Sequence, residues 1–105
     1  MAEIHVTEAE SVILETLWRC GPLPPTRLIE EVMAARPWGG ATVKTLLGRL
    51  MQKRAVLSVR DQHGVRYHPA FDREAYVQAE VTALVDRLFD GDEAKLAAVL
   101  KTRQR

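Results

Sequence analysis

Thr42, Lys44, Thr45, Gly48, Arg49 and Gln52 come together when residues 42–54, TVKTLLGRLMQKR, are wound as a helix. Val43, Leu46, Leu47, Leu50 and Met51 then take the other side, at i, i+3, i+4, i+7 and i+8, the spacing of an amphipathic helix. The polar side, closed by Lys53 and Arg54, carries cations, hydroxyls, an amide and a glycine, and no carboxylate. Groups of this kind donate to phosphate oxygens and to base edges in a DNA major groove. A merely solvated helix face ordinarily mixes Glu with Lys, so the lack of acids points to a nucleic acid. Lys44 and Arg49 are the candidates to reach into the groove. Thr42 and Thr45 would position the helix on phosphates or base edges, and Lys53 belongs to the same set.

The charge distribution agrees. The 105-residue chain has a net charge of only +1. Residues 1–35, however, hold six carboxylates against Arg19 and Arg27, whereas residues 36–68 hold seven cations against Asp61 alone. Positive charge gathered in the middle third can draw in a polyanion even when the whole chain is near neutral.

Other chemistries find little support. Glu8, Glu10 and Glu15, and the pair Glu30 and Glu31, could in principle serve as acid and base. No nucleophile or glycine-rich phosphate loop accompanies them, and they read as solvated helix positions. The chain is not expected to be an enzyme. His5, His63 and His68 are scattered and Cys20 is the single cysteine. A soft or borderline metal needs several such ligands close together, so neither a metal nor another cofactor is expected. Cys20 cannot form an intramolecular disulfide and reads as a buried, reduced thiol. No apolar run approaches the roughly 20 residues of a membrane span. The N-terminus lacks the pattern of a signal peptide, so a cytoplasmic protein is expected.

Which elements would hold the basic face in place? Thr7 and Glu10 form a capping box that opens a first helix over about 8–20. Val12, Ile13, Leu17 and Trp18 face its core side, and Gly21-Pro22 ends it. Leu23 lies in a short extended link between prolines. A second helix starts near Pro25, buries Leu28, Ile29, Val32 and Met33, and stops before Pro37. Trp38 is expected to close the core beside the third helix, about 41–54. Two strands, Val56–Arg60 and Val65–His68, flank a turn at Asp61–Gly64. Alternation predicts an apolar inner face (Leu57, Val59, Val65, Tyr67) and a basic outer one (Arg60, Arg66). A fourth helix spans about 72–89 and a last one 93 to about 102. Three helices followed by a hairpin is the order of a winged helix-turn-helix, whose third helix enters the major groove. The fold class is mainly α with a small β-hairpin.

VTEAESVILETLW, the proline link, LIEEV, the Trp loop and ATVKTLLGRLMQKRAVL together resemble the penicillinase-repressor family over about residues 6–90. The resemblance implies a bacterial transcriptional repressor that binds palindromic operators as a homodimer joined through C-terminal helices. It places DNA contacts at Thr42, Lys44, Thr45 and Arg49, with Arg60 and Arg66 in the wing. The chain departs from the pattern at Gly39-Gly40-Ala41, where many relatives have Ser-Pro-Lys. Val99-Leu100 stands where β-lactam-responsive members have a cleaved Asn-Phe bond. The terminal KTRQR replaces the cysteine-rich end of copper-responsive members.

Val77, Val81, Leu84 and Leu88 form a short heptad-like seam on the fourth helix. Tyr76, Val85 and Phe89 flank it and give that helix more apolar surface than one packing face needs. The expected organisation is a winged-helix DNA-binding domain over 1–70 and a helical dimerisation segment over 71–105. The alternative is a winged-helix module whose basic face meets an acidic protein rather than sequence-specific DNA.

Overall fold

The computed structural model describes residues 4–104. Its elements are α1 (Glu8–Cys20), α2 (Pro25–Ala35), α3 (Gly40–Gln52), β1 (Val56–Asp61), β2 (Gly64–Pro69), α4 (Arg73–Phe89) and α5 (Glu93–Thr102). The chain forms two compact units that divide between Asp72 and Arg73.

In the first unit the three helices share one core. α1 begins at the capping box: the Glu10 amide donates to Thr7 Oγ1 at 3.2 Å and the Thr7 amide to Glu10 Oε1 at 2.9 Å. Ile13, Leu14 and Leu17 of α1, Leu28 and Val32 of α2, and Val43, Leu46, Leu47 and Leu50 of α3 are all buried. Each such side chain contributes roughly 1.5–3 kcal/mol of burial free energy, which holds α3 against the other two helices. Met33 was expected in this core and is 45% exposed. It lies five residues beyond Leu28, where helical rotation has carried it past the edge of the apolar stripe.

α3 ends in a Schellman turn. The Arg54 amide donates to Met51 O and the Ala55 amide to Leu50 O, with Arg54 at φ 62°. That left-handed conformation is more often taken by glycine. It turns the chain sharply, so that Ala55 and Val56 enter the core as β1 begins.

The hairpin corrects one expectation. Its register pairs Leu57 with His68, Ser58 with Tyr67, Val59 with Arg66 and Arg60 with Val65. Paired residues project to the same face of a ladder. Leu57 and Val59 therefore lie on the face opposite Val65 and Tyr67, and Arg60 and Arg66 also lie on opposite faces. The cause is the two-residue turn between Asp61 and Gly64, across which every odd-numbered residue pairs with an even-numbered one. Leu57 and Val59 are 48% and 43% exposed, so no common apolar inner face exists. A third short strand joins the ladder: the Tyr67 amide donates to Leu23 O at 2.8 Å, and the Leu23 amide to Tyr67 O at 3.3 Å. The proline-flanked link thus anchors the root of the wing.

In the second unit α4 and α5 pack on each other. Asp92 caps α5 by accepting from the Ala94 amide at 2.9 Å. Val85 is buried, while Val77 and Leu84 are half-buried. Val81 (40%), Leu88 (55%), Val99 and Leu100 are exposed.

Candidate nucleic-acid interface

With Val43, Leu46, Leu47 and Leu50 buried and Met51 at the exposed edge of the apolar side, α3 turns Thr42, Lys44, Thr45, Gly48, Arg49 and Gln52 outward, and all six are exposed. Among the described residues, neither Lys44 nor Arg49 enters a salt bridge. Their charge is available to an incoming anion. The Thr45 hydroxyl donates to Ala41 O at 3.0 Å. Its oxygen is left as an acceptor, with the methyl group beside it. Gly39 precedes the helix with no side-chain cap. The first-turn amides therefore keep donors that a phosphate oxygen would satisfy, at the end of the helix dipole that favours negative charge.

Lys53 behaves differently. Its ammonium donates to His5 O at 2.8 Å and to Glu10 Oε1 at 2.5 Å. It is committed inward, which argues against the place given to it on the outward basic set. Glu10, read as a solvated acid, is 1% exposed and is part of the fold. Burial raises the pKa of its carboxyl, but the Lys53 ammonium and Thr7 outweigh that effect and hold it below its ordinary value. The capping box was visible in the sequence. The lysine that neutralises its carboxylate, 43 residues away, carried no local signal.

On the wing, Tyr67 shares a surface notch with Pro25 and Ile29 of α2 and Lys44, Gly48 and Met51 of α3. Arg60 projects from that same face of the hairpin, whereas Arg66 projects from the other beside Leu57 and Val59. The two wing arginines therefore do not form one patch.

Several other expectations shift. Trp38 is half-buried and lines a surface recess with Thr7, Glu8, Ala9, Val12 and Arg36. Trp18 donates its indole N–H to Phe71 O at 2.9 Å, and the two rings stand 6.3 Å apart. Cys20, expected to be buried, is exposed because α1 ends there and the chain turns away at Gly21, φ 83°. Among the described residues no three His, Cys, Asp or Glu side chains gather into a metal-binding group, and no helix is long and apolar enough to cross a membrane.

Residues 6–105 match the family model of the penicillinase repressor. The chain belongs to the penicillinase repressor family. Among relatives of this family member, the penicillinase repressor of Bacillus licheniformis is 22% identical over 87 residues, covering 83% of this chain and 68% of that protein. The transcriptional regulator BlaI of Mycobacterium tuberculosis is 31% identical over 88 residues, covering 83% of this chain and 62% of that one. The chain thus spans about two thirds of the length of these relatives. Among solved structures, the B. licheniformis BlaI monomeric form in complex with the blaP half-operator superposes with a TM-score of 0.64 at 25% identity, covering 72% of this chain and 94% of that one. The DNA-binding domain of the repressor BlaI gives 0.62 at the same identity and coverage. The helices and wing are those of a winged helix-turn-helix.

Proposed function

We propose that this penicillinase-repressor family member is a transcriptional repressor that binds a palindromic operator as a homodimer in the bacterial cytoplasm. The observation that carries this reading is the outward face of α3. Lys44 and Arg49 stand there unneutralised by any described carboxylate, on a fold that superposes on a repressor bound to half-operator DNA. Lys44 and Arg49 reach base edges or phosphates, and Thr42 and Thr45 set the helix in the groove. Arg60 and Arg66, on opposite faces of the wing, meet separate stretches of backbone. Residues 71–105 supply the dimer contact through Val77, Val81, Leu84 and Leu88, of which Val81 and Leu88 are the most exposed. Two subunits would place two α3 helices one turn of DNA apart and explain palindromic recognition. Repression follows from occupying a promoter and excluding polymerase.

The test is selection from a random-sequence DNA pool, followed by gel-shift titration of the recovered duplexes. Enrichment of an inverted repeat supports the reading. Retention on heparin with no enriched sequence would instead support the protein-interaction module.

A further inference from the structure

Of the six glycines, three lie at positive φ, where a side chain is strained, and two lie at the start of α3, where glycine costs the helix little, so these five have a setting that favours or tolerates glycine. Gly48 has none. It sits in the interior of α3 and is exposed, and a Cβ built on it would meet nothing within 4 Å. An alanine would fit the free protein and would favour the helix. The position is therefore unfavourable to the fold without serving it. It lies on the outward face, one turn after Lys44 and next to Arg49. It also opens the notch of about 240 Å³ between α3, α2 and the root of the wing, where Met51 and Tyr67 add apolar lining and Lys44 adds charge.

We infer that Gly48 is where the backbone of α3 itself comes into van der Waals contact with the DNA duplex, so that the missing side chain sets how deeply the helix seats in the groove. This rests on the DNA-binding reading above. The flanking cations give the direction of approach: Lys44 and Arg49 border this stretch of the helix surface, and both contacts shorten as it nears the duplex. A side chain at 48 would hold the helix away and lengthen both contacts.

The experiment compares the full chain with Gly48→Ala and Gly48→Leu. Thermal unfolding is measured first, then affinity for a labelled duplex recovered by the wild type from a random-sequence pool. Gly48→Ala is expected to raise Tm by about 4 °C, the usual effect of removing an interior helix glycine from a domain of this size. It is expected to weaken binding roughly tenfold or more, the order of one lost DNA contact. Gly48→Leu should fold and bind more weakly still. Wild-type affinity in Gly48→Ala at the raised Tm overturns the inference and leaves the DNA-binding reading standing. A lowered Tm also overturns it, because the glycine would then serve the fold. Failure of the wild type to bind any recovered duplex overturns both.

Discussion

The Lys53 ammonium lies 2.5 Å from Glu10 Oε1, fastening the end of α3 to the first turn of α1. The carboxylate is 1% exposed and the lysine side chain 32%. Removing the lysine leaves a buried anion whose remaining partner is an amide. Lys53→Met should therefore destabilise the protein by about 1–3 kcal/mol in denaturant unfolding. Because the ammonium points inward, the slope of log DNA affinity against log salt should stay unchanged in this variant.

The same pair sets a pH dependence. The folded protein holds the Glu10 carboxyl below its ordinary value. In the acid range the unfolded chain then binds more protons at this site than the folded one. The contribution to stability is present above the ordinary carboxylate range and drains away as pH falls through the lowered folded value. Glu10→Gln should flatten the acid limb of a stability–pH curve and leave less stability near neutrality; an unaltered acid limb would place the acid sensitivity elsewhere.

Lys44→Ala and Arg49→Ala should each weaken operator binding by about 1–3 kcal/mol if the lost contact is to a base. Both residues are exposed, so folding should be spared. Full affinity in both variants would take α3 out of the interface.

The wing arginines make a separate test. Arg60 pairs across the ladder with Val65, and Arg66 with Val59, on opposite faces. If each meets its own phosphate, each alanine variant should flatten the salt slope by about 0.9 and the double variant by about 1.8. A change in only one of them would show that a single face of the ribbon meets DNA.

Leu88, at 55% exposure, is the most exposed large apolar side chain of α4. Leu88→Glu should leave the monomer folded and split the dimer, with operator binding falling because two half-sites are no longer engaged together. Sedimentation at micromolar concentration reads this directly. A wild type that sediments as an 11.8 kDa monomer would refute the dimer and the palindrome with it.

Most of the architecture was legible because it rests on local signals. Thr7 and Glu10 announce α1, Pro25 opens α2, and the spacing from Val43 to Leu50 defines α3 and its outward face. The errors came from relationships that a linear pattern does not carry. Alternation within each strand puts Leu57 and Val59 on one face with Tyr67. The facing of two strands depends on the turn between them, and a two-residue turn was enough to separate these residues. Lys53 looked like its neighbours on the basic set until the fold supplied Glu10. Leu23 gave no sign of pairing, since its partner Tyr67 lies far along the chain. Gly48 was visible as a glycine, but only the empty space around its Cβ direction makes it informative.

The Leu23–Tyr67 bridge has a mechanical meaning. A hairpin tied to the body only through its own two ends would swing as a whole about Ala55 and Ala70. Here the backbone of β2 is clamped part-way along its length, and by the short link between α1 and α2 rather than by the helix that the wing follows. The free portion is a cantilever running from Tyr67 to the turn at Gln62-His63. Opening the root requires breaking hydrogen bonds anchored near the helical core, whereas the tip bends at little cost. Arg60 and Arg66 sit on the free length and Tyr67 at the clamp. The cations can therefore adjust to the local path of a partner's backbone while the base of the wing keeps its distance from α3.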